Sequence, residues 1–316
     1  MKTRKVAVIG LGHVGAHVAY SLAVQGICDE LLLIDQNDTK VVCECQDIRD
    51  AVVYLPHRIS VNVGQFSDLE DVDLIINCVG KISILSETHD RVQEMDFNIK
   101  AVRSFAYKIK ESGFHGILIN ISNPCDIITN EVAKILELPE GHVFGTGTGL
   151  DTSRLVSHIS DATGIDQNSI NAYMIGEHGN LQFCPWSTVT FSGVPLDRLA
   201  DKYEEFRFDR DSITEKSAQG AWAIFQGKNC TEYAIASTAA RMASIIFHDG
   251  KRIMPASAML NGEYGEEGLF MGVPCVIGKN GVEKVLELPL NEQEKEHFHQ
   301  CCQGMRENMK HIADIK

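Results

Sequence analysis

Three glycines near the amino terminus restrict the fold more than any other feature. The stretch VAVIGLGHVG places Gly10, Gly12 and Gly15 in a Gly-x-Gly-x-x-Gly pattern, after an apolar run and before helical spacing. In such a loop the first glycine permits a tight turn, the second lets a pyrophosphate approach the backbone, and the third lets helix and strand pack closely. The next apolar run, LLLID, ends at Asp35, twenty residues after Gly15. A carboxylate there can accept the ribose hydroxyls of an adenosine and repels a 2′-phosphate, so the pattern predicts NAD rather than NADP.

Short apolar runs alternate with helical spacing throughout the first half of the chain. The predicted strands are 6–10, 31–35, 73–80 and 116–122, and the residues between 93 and 113 have helical spacing that ends at Gly113. This alternation is typical of parallel strands covered by helices on both faces. We therefore predict an α/β fold with a Rossmann-type doubly wound parallel sheet.

The pattern changes near residue 148 to longer helices and antiparallel strands. Residues 275–288 form two apolar runs around Asn280-Gly281, which predicts a hairpin with a type I′ turn. Asn291 and Glu294 have the spacing of a capping box at the start of the last helix. We expect an NAD-binding domain over 1–147 and an α+β substrate and catalytic domain over 148–316.

Charge and cysteine content exclude several classes of partner. The balance of 29 Lys and Arg against 43 Asp and Glu gives a net charge of -14, which disfavours nucleic acid and anionic membranes. An anionic ligand must then be held by a few local cations. The ten cysteines lack a C-x-x-C spacing, no metal site is predicted, and no apolar stretch has membrane-spanning length. A reducing cytoplasm fits these features best.

The second half carries residues suited to the reduction of a 2-oxo acid. Such a substrate needs a cation for its carboxylate and a proton donor that titrates near neutrality, which histidine provides best. GEHGN contains His178, and GTGTGLDTSRL places Asp151 and Arg154 three residues apart on one helix face. Singly, each has a simpler explanation, because an Asp-x-x-Arg pair is often a surface ion pair and an isolated histidine is often structural. Their joint occurrence behind a dinucleotide loop favours catalysis.

Four motifs give the chain a family resemblance. GLGHVG, ISNPCD, GTGTGLDTSR and GEHGN, in this order over nearly the whole chain, closely resemble the L-2-hydroxy acid dehydrogenases of the lactate/malate dehydrogenase family, the bacterial L-2-hydroxyisocaproate type most of all. The resemblance implies that His178 is the catalytic acid and base, that Asp151 is its partner, and that Arg154 binds the substrate carboxylate.

The resemblance also implies further site residues. Asn123, which precedes Pro124 in a bond that we expect to be cis, would hold the substrate carbonyl and the nicotinamide region. Arg91 would belong to a loop that closes over the substrate and polarises the carbonyl, Thr231 to the substrate pocket, and Gly80 to the cofactor site. A homotetramer or homodimer is the implied assembly.

The segment from Gly80 to Arg91 bears on substrate choice. In the family that this chain resembles, lactate enzymes usually carry glutamine a few residues after the glycine that corresponds to Gly80, and malate enzymes carry arginine. This chain has Ser83 or Ile84 at that place. We therefore expect Ser83 to face the substrate side chain and a branched or bulky 2-oxo acid of the 2-oxoisocaproate type to be preferred. The alternatives are an L-lactate dehydrogenase and, from another class, a non-catalytic NAD-binding protein.

Overall fold

The computed structural model describes residues 3–80, 91–179 and 181–313, and within these ranges the chain forms fourteen strands and nine α-helices. The strands are β1 (Lys5–Ile9), β2 (Glu30–Ile34), β3 (Ser60–Val63), β4 (Leu74–Asn77), β5 (Ile117–Asn120), β6 (Val143–Gly145), β7 (Ile170–Asn171), β8 (Ile175–Gly176), β9 (Gln182–Phe183), β10 (Thr190–Phe191), β11 (Val194–Pro195), β12 (Arg252–Asn261), β13 (Glu267–Gly278) and β14 (Gly281–Val285). The helices are α1 (His13–Gln25), α2 (Asp38–Val52), α3 (Arg91–Glu111), α4 (Cys125–Leu136), α5 (Gly149–Thr163), α6 (Leu196–Ala200), α7 (Arg210–Lys228), α8 (Tyr233–Phe247) and α9 (Glu292–Ala313).

The first six strands form a parallel sheet in the order β3-β2-β1-β4-β5-β6. All residues of β4 and β5 are buried, as expected for strands with helices on both faces. The four predicted strands are confirmed as β1, β2, β4 and β5. The strand order reverses at β1, which lies between β2 and β4, and this is the position at which ligands bind in doubly wound sheets.

The sheet continues into the second half of the chain. Strand β12 pairs antiparallel with β6 at Ser257 and Gly145, and then with β13 over ten residue pairs from Arg252–Ile277 to Asn261–Glu267. With β8, β9 and β14 the sheet has eleven strands. The predicted domain boundary between residues 147 and 148 thus falls between β6 and α5. Because the main sheet contains strands from both sides of this boundary, the division into two domains stays a prediction.

A second, smaller core lies beside helix α5. It buries Leu155 and Ile159 of that helix against Ile170, Phe191 and neighbouring apolar side chains. Strands β7, β10 and β11 form a separate three-stranded sheet over this core. Helix α5 is therefore fixed on both sides, by the main sheet and by this core.

The hairpin predicted around Asn280-Gly281 is confirmed, but the predicted turn type, I′, is wrong. Strands β13 and β14 pair from Cys275–Val285 to Gly278–Gly281, so Lys279 and Asn280 connect them. Only Gly281 of the predicted pair has a positive φ, of 80°, whereas a type I′ turn requires two such residues. Asn280 instead donates its backbone N–H and its Nδ2 to Oε1 of Glu283, both at 3.3 Å.

One further prediction from the sequence is confirmed in local geometry. Asn291 donates its backbone N–H to Oε2 of Glu294 at 3.0 Å, and Glu294 donates its N–H to Oδ1 of Asn291 at 3.0 Å, which is the reciprocal capping box. All ten cysteines are free thiols. Within the ranges described, no helix has the length and apolar character needed to cross a membrane.

Candidate active site

One cavity of about 400 Å³ collects most of the predicted site residues. Residues that follow β1, β4 and β5 line one side of it, and residues of α5, α7 and the segment after β8 line the other. The predicted site residues that line it are Gly12, Gly80, Asn123, Asp151, Arg154, His178 and Thr231. The fold therefore brings the dinucleotide loop and the predicted catalytic residues of the second half to one place.

The three glycines of the loop have different surroundings. A Cβ atom on Gly10 would lie 2.9 Å from the carbonyl carbon of Cys78, and one on Gly15 would lie 1.8 Å from the carbonyl oxygen of Gly10. Gly12, in contrast, has no atom of the described residues within 4 Å of a Cβ and faces the cavity. It is the N-cap of α1, and no side chain in the described ranges caps that helix. An uncapped helix N-terminus beside open space fits the pyrophosphate of a dinucleotide.

Asp35 follows β2 and is tied to the same loop. Its Oδ2 accepts the backbone N–H of Leu11 at 2.5 Å, and its Oδ1 accepts the N–H of Asn37 at 2.9 Å. These bonds hold the carboxylate next to the glycine loop, at the position where the sequence predicts a contact with the adenosine ribose. That contact remains a prediction.

His178, Asp151 and Arg154 form one hydrogen-bonded chain. Nδ1 of His178 lies 2.6 Å from Oδ2 of Asp151, and Nη1 of Arg154 donates to Oδ1 of Asp151 at 3.0 Å. The Asp151 side chain is 1% exposed, whereas that of His178 is 21% exposed and lines the cavity. Asp151 lies in the first turn of α5, so the three-residue spacing to Arg154 puts both side chains on one face. Within the part of the chain that is described, Nδ1 is the only ring nitrogen of His178 with a hydrogen-bond partner, so the second ring nitrogen is available to a ligand.

The charges of this chain favour an imidazolium next to a carboxylate. Burial lowers the pKa of His178, but Asp151, with Asp126 and Glu177, outweighs burial and raises that pKa above its ordinary value. Burial likewise raises the pKa of Asp151, but His178 and Arg154 outweigh it and lower that pKa. A histidine with a raised pKa keeps its proton near neutral pH and can donate it.

Arg154 has hydrogen-bonding capacity that the protein does not use. Its Nε and Nη2 are buried and have no hydrogen-bond partner among the described residues. Burial lowers the pKa of this guanidinium while Asp151 raises it, and arginine nonetheless stays charged at neutral pH. Two unpaired N–H groups of a planar cation facing a cavity fit a carboxylate, which they can bind in bidentate fashion.

Asn123 and Thr231 lie at the cavity, each with a neighbour that the sequence did not predict. The Asn123–Pro124 peptide bond is cis, and the carbonyl oxygen of Asn123 accepts Nδ2 of Asn98 at 2.8 Å. Thr231 lies in the connection between α7 and α8 and lines the cavity together with Cys230. Asn98 thus links helix α3 to the segment that carries Asn123.

Two predicted site residues are not described in full. Ser83 lies outside the described residues, as does Ile84. Arg91 is the first residue of α3, and its side chain lies outside the described part of the chain. The roles of these residues stay predictions from the family resemblance.

Three residues that line the cavity were missed from the sequence. Asn98 is 1% exposed and lies on the buried face of α3, between Met95 and Ile99. A polar residue within this apolar stripe is the sequence signal from which its place in the site could have been predicted. Gln182 is buried, and its Oε1 has no hydrogen-bond partner among the described residues. Trp222 projects from α7, and nothing in the local sequence indicated its place in the site.

Comparison with known proteins identifies the family. The family model for the lactate/malate dehydrogenase NAD binding domain matches residues 4–145. The model for the lactate/malate dehydrogenase alpha/beta C-terminal domain matches residues 148–316. The chain belongs to the lactate/malate dehydrogenase family. Its relatives include an L-lactate dehydrogenase of Fusobacterium nucleatum, 42% identical over 308 residues, which are 97% of this chain and 96% of that protein.

Solved structures of the lactate/malate dehydrogenase family have the same fold. A lactate dehydrogenase from a Medee basin deep-sea metagenome library superimposes with a TM-score of 0.94 at 32% identity, over 99% of this chain and 100% of the other. A lactate dehydrogenase from Eimeria maxima with NADH and oxamate gives a TM-score of 0.92 at 26% identity, over 100% and 96% of the two chains. The predicted fold class and the predicted cofactor, NAD, are therefore confirmed, and the chain is an oxidoreductase that acts on 2-hydroxy acids.

Proposed function

We propose that this protein is an L-lactate dehydrogenase, which reduces pyruvate with NADH and oxidises L-lactate with NAD. The observation that carries the proposal is the chain from His178 through Asp151 to Arg154 at a cavity beside the dinucleotide loop. The named relatives support lactate as the substrate, because they are L-lactate dehydrogenases. The sequence had favoured a bulkier 2-oxo acid and had given lactate as the alternative, so the comparisons favour that alternative.

In the proposed mechanism, the glycine loop and Asp35 would hold NADH, which would supply the hydride for the carbonyl carbon of the substrate. Arg154 binds the substrate carboxylate through the two nitrogens that lack a protein partner. His178 donates a proton from Nε2 to the carbonyl oxygen, since Nδ1 is held by Asp151. In the oxidative direction the neutral ring takes the proton back from the hydroxyl group.

Asp151 acts on this step in two ways. Its hydrogen bond fixes the ring orientation of His178, and its charge stabilises the imidazolium. Its second oxygen holds Arg154 by the Nη1 hydrogen bond, which leaves the rest of the guanidinium directed to the ligand. The buried carboxylate of Asp151 thus positions both the proton donor, His178, and the guanidinium of Arg154 that binds the substrate.

The other assigned residues complete the proposal. Arg91 polarises the carbonyl oxygen from the loop that closes over the substrate, an assignment that rests on the family resemblance. Asn123 and Gly80 border the nicotinamide side of the cavity, and Thr231 borders the substrate side. Asp35 binds the adenosine ribose. Closure of the site would exclude water, which strengthens the interaction of these groups with the developing alkoxide.

A second candidate substrate class is the branched or bulky 2-oxo acid of the hydroxyisocaproate type. It is favoured by Ser83 or Ile84 at the place where lactate enzymes usually carry glutamine. The small side chains of Ala218 and Ala221, which line the cavity on α7, also leave room for a longer substrate. No arginine follows Gly80 in that segment before Arg91, so a second carboxylate, as in oxaloacetate, is disfavoured.

The deciding experiment follows NADH oxidation by absorbance with pyruvate, 2-oxoisocaproate, phenylpyruvate and oxaloacetate side by side. Highest kcat/KM with pyruvate supports the proposal, and highest kcat/KM with 2-oxoisocaproate or phenylpyruvate replaces it by the second candidate. Ser83→Gln then tests the placement of the pocket, because it should shift preference toward pyruvate. Absence of turnover with all four would revive the non-catalytic NAD-binding protein.

Assembly and location are separate proposals, of which the assembly rests on the family resemblance and the location on the scattered cysteines. We expect a homotetramer or homodimer, which light scattering on the purified protein would measure as four or two times 34.9 kDa. A monomer would contradict this expectation and leave the proposed chemistry untouched. A cytoplasmic location is the second expectation, to be tested by fractionation of the source cells.

A further inference from the structure

A second buried carboxylate lies directly behind His178. Asp126 is in the first turn of α4 and is 1% exposed. Its Oδ2 accepts the backbone N–H of His178 at 2.8 Å. His178 is therefore held at two points by two acids, at the ring by Asp151 and at the backbone by Asp126, and the mechanism described so far uses only the first.

The hydrogen bond alone does not account for an acid at this position. An asparagine would accept the same N–H without the burial of a charge, which is costly in a protein interior. Oδ1 of Asp126 is also buried and meets no hydrogen-bond partner that satisfies normal geometry in the described chain. Burial raises the pKa of Asp126 to about 6, against the lowering effects of the Ser257 hydroxyl and the His178 amide. At neutral pH and above, the group is thus mainly an anion.

The groups that face His178 are mostly negative. Asp151 contacts its ring from α5, Asp126 lies beneath it on α4, and Glu177 precedes it in the chain, and all three raise the pKa of the imidazole. Arg154 is a cation in contact with this set, through its hydrogen bond to Asp151. Removal of any one of the three negative charges should make the imidazolium less stable.

We propose that Asp126 is a positioning residue that fixes the backbone of His178 and, through its negative charge, keeps the imidazole protonated at the pH at which the substrate is reduced. The inference rests on the proposed function, in which His178 is the proton donor. Asp126 is not among the described residues that line the cavity, and it acts only through His178.

The test compares Asp126→Asn with Asp126→Ala. Asparagine keeps an acceptor for the His178 N–H and removes only the charge, whereas alanine removes both. The matched control is Asp161→Asn, the same change at an exposed position on α5, about 15 Å along the helix from Asp151. For each protein we would measure kcat/KM for the preferred 2-oxo acid from pH 5.5 to 9.5, the Kd for NADH by fluorescence, and the circular dichroism spectrum.

The pH profiles should distinguish the effect of the Asp126 charge from the effect of its hydrogen bond. We expect Asp126→Asn to move the basic limb of the profile down by about 0.5 to 1 pH unit, because a charge several ångströms away has been removed. Activity would then be nearly unchanged at pH 6 and about 3- to 10-fold lower at pH 9. Asp126→Ala should also lose activity at pH 6, by about tenfold or more, because a misplaced proton donor is slow in both protonation states. Asp161→Asn and all Kd values for NADH should match the wild type.

An unmoved basic limb in a folded Asp126→Asn would overturn the role of the charge. If that variant does not fold, Asp126→Glu and Asp126→Ala provide the test, since glutamate keeps the negative charge and alanine removes it. The basic limb should lie lower in Asp126→Ala than in Asp126→Glu, and equal limbs in these two variants would refute the role of the charge. Absence of wild-type turnover with every oxo acid would instead contradict the proposed function, so the two failures are distinguishable.

Discussion

Gly220→Ala tests how closely helix α7 must approach Arg154, the residue proposed to bind the substrate carboxylate. Gly220 lies within α7, where glycine is normally unfavourable. A Cβ atom at this position would lie 2.9 Å from Cδ and 3.2 Å from Nε of Arg154. The nearer distance is shorter than van der Waals contact allows, so the alanine variant must displace the Arg154 side chain or the helix.

The effects on stability and on activity should have different sizes. Replacement of a helical glycine by alanine favours folding by about 1 kcal/mol. Displacement of Arg154 from its preferred rotamer opposes this by about 0.5 to 1.5 kcal/mol. The free energy of unfolding should therefore stay within about 1 kcal/mol of the wild type. A guanidinium displaced by a fraction of an ångström to 1 Å should lower kcat/KM for the oxo acid by about 10- to 100-fold, chiefly through KM.

The matched control is Gly227→Ala. Gly227 lies in the same helix, and no atom of the described residues lies within 4 Å of a Cβ there, so alanine changes helix propensity without contacting Arg154. Steady-state kinetics with the preferred oxo acid, the Kd for NADH and urea unfolding would be measured for both variants. Unchanged KM in Gly220→Ala, or an equal rise of KM in both variants, would refute the argument that the close approach of α7 positions Arg154.

Three further predictions concern the proton donor, Arg154 and pH. His178→Asn should lower kcat by about 10²- to 10⁴-fold with little change in the Kd for NADH, because only the proton donor is lost, and normal turnover in stopped-flow assays would exclude His178 from the chemistry. Arg154→Lys should raise KM for the oxo acid by about 10- to 100-fold, since lysine cannot reproduce a bidentate contact, and a normal KM would remove this contact from the mechanism. The raised pKa of His178 keeps the imidazolium present to higher pH than for an ordinary histidine, so kcat/KM for reduction should be constant at low pH and fall as pH rises through that pKa, while kcat/KM for oxidation should rise over the same interval. Profiles with the opposite slopes would show that His178 is not the group that titrates.

The parts of the fold that were predicted from the sequence are those with strong local signals. Buried parallel strands with continuous apolar residues were recognised, whereas β3 and β6 were not. In β3 only Val61 is buried, and β6 has three residues, so neither gives a clear apolar run. The hairpin was located from Asn280-Gly281, but its turn type depends on the side chain of Glu283, which no dipeptide rule includes.

The candidate site divides in the same way. Gly12 and Asp35 follow from spacing, because the loop and the second strand form one local unit. His178, Asp151 and Arg154 were singled out by motif, and their contact joins residues 27 positions apart in the chain. Asp126 was within a quoted motif, but its bond to His178 spans 52 positions and has no local sequence signature. Contacts of this kind depend on how α4 packs beneath the segment after β8, which a single sequence does not specify.

The junction between β6 and β12 determines how this enzyme can be recombined with its relatives. The sheet crosses from one half to the other at Ser257 and Gly145, and a Cβ atom on Gly145 would lie 2.7 Å from Sγ of Cys125 and 2.9 Å from Cβ of Ser257. A Cβ atom on Gly147 would lie 2.5 Å from the backbone nitrogen of Ser257. A chimera cut at residue 147 therefore places Ser257 from one parent against Cys125, Gly145 and Gly147 from the other. Hybrid enzymes should inherit these four residues from the same parent, even when everything around them is exchanged.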